Sequence, residues 1–140
     1  MVSRAPFVFV GIAGLCIAAA FLAPTVDAQG AIAIDGRGFV DSQARCEAPA
    51  VAVAFGRTAT ALVAICEKNG GYEYRGVRMR DDALLTAPAV EDDDGEVFTV
   101  ENDGATYTFS AKELSVSSGE RVIHVEPMVA YVEPRVATND

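Results

Sequence analysis

The sequence predicts an all-β fold, a small antiparallel barrel, roll or sandwich of about seven to nine short strands. Three observations carry this. Apolar and polar residues alternate at a period of two over most of the chain beyond Pro49. No helical periodicity lasts long enough to compete with that alternation. Turn-forming clusters punctuate the strands: Lys68-Asn69-Gly70-Gly71, Asn102-Asp103-Gly104 and Ser117-Ser118-Gly119.

The chain opens with a segment that reads as an address. Arg4 is the only charge ahead of an apolar run from Phe7 to Leu22, and Pro24 and Val26-Asp27-Ala28 follow. This is the pattern of a secretory signal peptide over residues 1–28, with cleavage between Ala28 and Gln29. An uncleaved N-terminal anchor is the alternative, since the run is about long enough to span a bilayer. Cys16 does not make a lipoprotein signal, because Leu15 before it is not small and the apolar run continues past it. Residues 29–48, small and polar at their start, are expected as a loose N-terminal lead. Residues 49–134 form the single β domain, and 135–140 a frayed tail.

Ala50–Phe55 is the first clear strand, with Val51, Val53 and Phe55 assigned to one face. Thr60–Cys66 follows, with Ala61, Val63 and Ile65 together. Gly71–Arg78 sets Tyr72 and Tyr74 on the face opposite Glu73 and Arg75. Leu84–Val90 contains Pro88, which cannot donate to a ladder and confines the strand to an edge or a bulge. Glu96–Glu101 and Ala105–Ser110 form a hairpin about Asn102-Asp103-Gly104, a three-residue loop with Gly104 in the left-handed position. Glu113–Ser117, Arg121–Glu126 and Met128–Val132 complete the series. Short helices are conceivable only at Asp41–Cys46 or Asp81–Leu85.

Two cysteines remain beyond the signal, Cys46 and Cys66. An even pair in an exported chain reads as a disulfide. A simple hairpin about Thr58 places Cys66 opposite Ala50, too far from Cys46, so the chain must fold back near Ala48-Pro49.

The 140 residues carry 11 Lys and Arg against 20 Asp and Glu, for a net charge of -9. That balance excludes nucleic acid as a partner, since phosphates require cations. No stable membrane span is expected once the signal is removed. Beyond the turns, four features bear on chemistry. Tyr72, Tyr74, Arg75, Arg78 and Arg80 form the only basic patch, and Tyr with Arg is a composition that interfaces favour; they are the candidate interface. Asp92, Asp93, Asp94 and Glu96 are a weak calcium candidate, for which Val90 stands where a first ligand belongs. His124, the only histidine, shares an alternating face with Val122 and Glu126. A hydrolytic role would require it beside a Ser or Thr hydroxyl and a carboxylate in a cleft. Met79 and Met128 read as core filler. No cofactor motif is present.

The stretch from Phe55 to Val132 also resembles small secreted proteins of unknown function from mycobacteria and other actinobacteria. The resemblance rests on Gly56-Arg57-Thr58, Tyr72–Arg78, Asn102-Asp103-Gly104 with Tyr107, and Glu126-Pro127-Met128. It implies export and a β-rich fold, and it implies no catalytic residue. The expected function is therefore a non-catalytic, exported β domain that binds a protein or glycan at the cell envelope or outside the cell. A small envelope enzyme or enzyme inhibitor is one alternative, and a calcium-dependent adhesion module is another.

Overall fold

A computed structural model describes residues 32–134. The signal peptide read over residues 1–28 and the tail over 135–140 lie outside the described residues. The expected all-β class is observed. A short ribbon of β1 (Ile34–Asp35) and β2 (Gly38–Phe39) precedes the main sheet. The main sheet holds β3 (Ala52–Arg57), β4 (Ala61–Lys68), β5 (Gly71–Arg78), β6 (Ala83–Glu91), β7 (Val97–Asn102), β8 (Ala105–Ser110), β9 (Glu113–Ser118), β10 (Arg121–Pro127) and β11 (Ala130–Val132). Neither Asp41–Cys46 nor Asp81–Leu85 is helical.

From β3 to β10 each strand pairs antiparallel with the next, so the sheet is a meander. It does not end there. After only Met128 and Val129 the chain enters β11, which pairs with β3 at the far end of the strand order. A two-residue link cannot cross a flat sheet of this width, because strands lie about 4.8 Å apart. The sheet therefore curls, and β10 and β11 act as one bent strand serving both ends. The bend is held by Met128 N–H donating to the Lys112 carbonyl at 3.0 Å and Val129 N–H donating to the Arg57 carbonyl at 2.8 Å. The curl is staggered. Across the ladder Glu126 is level with Leu114, Phe109, Phe98 and Glu91. Yet its carboxylate bonds Thr60, whose neighbour Ala61 is level with Arg78 and Ala83. Such stagger accompanies the strand tilt of a closing barrel.

Gly56 makes the closure possible. A Cβ there would lie 2.8 Å from the Ala130 carbonyl oxygen and 3.0 Å from Met128 Sδ. Tyr131, opposite Gly56 in the ladder, covers the vacant position and packs on Phe109 with ring centroids 5.5 Å apart.

The concave face holds the core. Val53, Ala54, Val63, Ile65, Tyr74, Phe98, Val100, Phe109 and Leu114 pack there, all buried. Two bulges change the faces that strict alternation assigns. The register shifts between Ala52 and Ala54, so Val53 and Ala54 both reach this core while Phe55 turns to the outer face. Val53 and Phe55, expected together, are on opposite sides. A second shift between Val122 and His124 leaves His124 with Glu126 but turns Val122 away from them. Bulges insert one residue without marking the hydrophobic pattern.

The outer face of β3 to β5 is covered by the segment expected as a loose lead. From Ile32 on it is built into the fold. Phe39, Ala44 and Cys46 are buried, and Phe39 packs edge-on against Phe55 at 5.3 Å. Arg37 Nε donates to the Cys46 carbonyl at 2.9 Å, and Arg45 makes a two-pronged pair with Asp35. The Cys46–Cys66 disulfide is present, with the Cα atoms 5.5 Å apart. The chain does reverse at Ala48-Pro49, where the peptide bond is cis. The β3–β4 turn is centred beyond Thr58, so Cys66 faces Ala52 and not Ala50. The β7–β8 loop is likewise shorter than expected: Asn102 pairs with Ala105, leaving Asp103 and Gly104 at positive φ, as in a type I′ turn.

Pro88 sits inside the strand order, between β5 and β7, not at a sheet edge. β7 pairs with β6 only over Ala89–Glu91, so Ala83–Pro88 is a local edge within the sheet. The constraint that proline imposes is met there, and the sheet is left open along this half of β6.

Candidate functional site

That opening leads into the concave face. A pocket of about 360 Å³ lies between the first half of β6 and the end of β10. Its walls are Ala61, Val77, Leu84, Leu85, Leu114 and Val116, with Gly76 and the rings of Tyr74 and Tyr107. Thr60, Arg78, His124 and Glu126 supply the polar part. The size is within the range of small-molecule sites, and the composition, mostly apolar with a few convergent polar groups, is typical of them.

Each of these groups is positioned by a local rule. Tyr74 and Gly76 are two residues apart on β5 and share the concave face. A Cβ on Gly76 would lie 2.6 Å from Tyr74 Cε1 and 2.8 Å from its hydroxyl oxygen. The tyrosine ring thus lies along the strand over the glycine, which is why the pocket has a floor there. Tyr74 is 3% exposed, and its ring centroid is 6.0 Å from that of Tyr107. Burial, and secondarily the Tyr107 phenol, push the Tyr74 hydroxyl well above the usual tyrosine range, so it stays a neutral donor. Among the described residues its hydroxyl has no hydrogen-bond partner.

The polar group gathers on Glu126. Thr60 Oγ1 donates at 2.8 and 2.7 Å to the two carboxylate oxygens, and His124 Nε2 lies 2.8 Å from Oε2. Burial pushes the Glu126 carboxyl up, but the polar groups around it, the nearby Thr58 hydroxyl and the bonded Thr60 and His124, outweigh it and hold the pKa down to about 2. Thr58 is itself fixed, since its Oγ1 accepts from the backbone N–H groups of Thr60 and Ala61 in a side-chain-stabilised turn.

The five residues read as an interface are distributed over the fold. Tyr72 is half-buried on the concave side; its ring packs on Phe98 and its hydroxyl donates to Glu91 at 2.9 Å. Tyr74 is in the core. Arg75, 8% exposed, points the other way, beneath the N-terminal segment, where Nε donates to the Gln43 carbonyl at 3.0 Å. Arg78 is exposed at the pocket rim and makes a two-pronged pair with Asp81. Arg80 is exposed in the β5–β6 turn. Only Tyr74 and Arg78 are brought to one place, the pocket. The acidic residues Asp92, Asp93, Asp94 and Glu96 form the β6–β7 turn. Asp92 Oδ1 accepts the backbone N–H groups of Glu96 and Val97, and these bonds, the Val97 one foremost, hold its pKa low. Among the described residues no group of three or more His, Cys, Asp or Glu side chains is placed to hold a metal ion. Met128 packs against the core cluster.

Alternation along the strand puts His124 and Glu126 on one face but does not connect them to Thr60 or Tyr107. The alternation of Tyr72, Tyr74 and Gly76 was the available signal, since a glycine two residues beyond a tyrosine on the core face leaves a gap for its ring. Among the described residues no helix is long and apolar enough to cross a membrane. No protein-family model matches the chain, and no curated protein or solved structure matches it.

Proposed function

We propose that this chain is an exported, non-catalytic binding domain, and that its binding place is the pocket inside the curled sheet. The observation that carries the reading is a largely apolar pocket of about 360 Å³ that opens where β6 leaves β7 and is lined by Tyr74 and by the hydrogen-bonded Glu126 and His124. The disulfide and the signal-like N-terminus support export, as does the resemblance to small secreted actinobacterial proteins. The site of action is then the cell envelope or the medium. Amino-terminal sequencing of the protein recovered from the medium of an expressing host tests export, with a start at Gln29 expected and an intact Met1 overturning it.

Binding is tested with N-phenyl-1-naphthylamine, an uncharged dye whose emission rises in apolar surroundings. Saturable binding by the wild type is expected, with loss in Val116→Trp or Leu85→Trp, either of which fills the pocket. Circular dichroism confirms the folded state of each variant. Absence of saturable binding, or equal binding by both folded variants, overturns the pocket as the site.

The meeting of Thr60, His124 and Glu126 favours one second reading, a small hydrolytic enzyme. In an acyl-transfer triad the histidine accepts the hydroxyl proton and the carboxylate orients the histidine. Here Thr60 and His124 both bond the same carboxylate, and the hydroxyl donates to the acid, not to the imidazole. This arrangement serves to hold the strand, and it supports binding over catalysis. Turnover of p-nitrophenyl acetate that disappears in Thr60→Val and His124→Gln would reverse the preference.

A further inference from the structure

Four features of the pocket bear on its occupant. Its volume, about 360 Å³, is roughly twice that of a cavity that takes up benzene, so one substituted ring or a compact equivalent fits. Its lining is largely apolar, with Leu85 and Val116 in it, and it includes Tyr74 and Tyr107, whose ring centroids are 6.0 Å apart. Its one arginine, Arg78, is already paired with Asp81, and the Glu126 oxygens are already engaged by the Thr60 hydroxyl and the His124 ring. An anionic ligand would find no cation to spare, and losing hydration without one is costly. The Tyr74 hydroxyl, by contrast, belongs to a side chain 3% exposed, lines the pocket and has no hydrogen-bond partner among the described residues. An unpaired donor open to the pocket favours an acceptor brought by whatever displaces the solvent.

We infer that the pocket selects an uncharged, ring-sized apolar molecule bearing one hydrogen-bond acceptor, such as a ketone or ester oxygen, and that Tyr74 reads that acceptor. This rests on the pocket being the binding place. The ring covers Leu85, Val116 and Tyr107, and the acceptor oxygen receives the Tyr74 hydroxyl proton in a hydrogen bond. His124 and Glu126 remain at the rim as a strut and take no part in recognition.

The test uses three probes of one shape class. Acetophenone carries the acceptor. α-Methylstyrene has the same outline with a methylene in place of the oxygen. Benzoate keeps the ring and adds a charge. Each competes with N-phenyl-1-naphthylamine on the wild type and on Tyr74→Phe, which removes one oxygen and leaves the ring packing in place. The ratio of ketone to alkene affinity is expected to fall about three- to tenfold on Tyr74→Phe, the worth of one hydrogen bond. Benzoate is expected to be the weakest competitor on the wild type. An unchanged ratio overturns the role of Tyr74 while leaving the pocket as the binding place. Benzoate competing best overturns the preference for an uncharged ligand. Failure of the dye itself to bind removes the pocket reading, and this inference with it.

Discussion

The hydroxyl of Thr60 lies 2.8 and 2.7 Å from the two carboxylate oxygens of Glu126, a residue 66 positions further along the chain. Thr60 belongs to the first hairpin of the meander and Glu126 to its last strand. The contact joins the two ends of the sheet beside the bend where β10 becomes β11, so it is both a closure of the fold and one wall of the pocket.

Glu126→Gln is expected to lower stability by about 2 kcal/mol, the scale of hydrogen bonds to a charged acceptor that is mostly covered. Urea unfolding at neutral pH measures it. The pH dependence follows from the depressed pKa, about 2 when folded against an ordinary 4.5. The contribution is fully present above about 4.5 and is lost as pH falls toward about 2. Wild type and Glu126→Gln should therefore converge in stability across that acid range. Equal pH profiles throughout would mean that the carboxylate contributes no net stability.

Replacing both cysteines, Cys46→Ser with Cys66→Ser, opens a link across a sequence separation of 20 residues. The expected loss is about 3 kcal/mol by loop-closure entropy. The effect should be largest in the N-terminal segment, which relies on Phe39, Arg37 and the disulfide for its place on β3 and β4. Hydrogen exchange should show faster exchange at the Phe39 and Cys46 amides than at Phe98 or Phe109.

Two glycine-to-alanine substitutions separate crowding from chain stiffness. Gly56→Ala puts a methyl group within 2.8 Å of the Ala130 carbonyl oxygen, a backbone atom that moves only if β11 moves. A loss of about 1–3 kcal/mol is expected, with faster exchange at the β11 amides. Gly36→Ala meets nothing within 4 Å and should stay within about 0.5 kcal/mol of wild type. Comparable losses in the two variants would show that the closure is not tight at Gly56.

Arg75 and Arg78 lie three residues apart on one strand, yet they should respond differently to truncation. Arg75→Ala removes a nearly buried side chain and its bond to the Gln43 carbonyl, for an expected cost of about 1–2 kcal/mol. Arg78→Ala breaks an exposed pair with Asp81 and should cost less than about 0.5 kcal/mol. Thermal unfolding of the two variants side by side checks the order, and the reverse order would place the covered face on the wrong side of β5.

The sequence by itself determined the class of fold, most of the strands and the cysteine pair. These follow from short-range rules: alternation at a period of two, the turn chemistry of Asn69-Gly70 and Asp103-Gly104, and the presence of two cysteines beyond an export-like leader. Alternation on β5 separated Tyr72 and Tyr74 from Glu73 and Arg75, but it could not say which side was concave. Only the curl of the sheet put Tyr74 into a pocket and Arg75 under the N-terminal segment. The bulges at Val53 and Ile123 were invisible for the same reason, since one inserted residue changes the face of its neighbours without changing the composition of the strand. The meeting of Thr60, His124 and Glu126, and the return of β11 to β3, were decided by tertiary structure alone. Both depend on the stagger accumulated across the whole sheet, a sum of registers that no local stretch of residues contains.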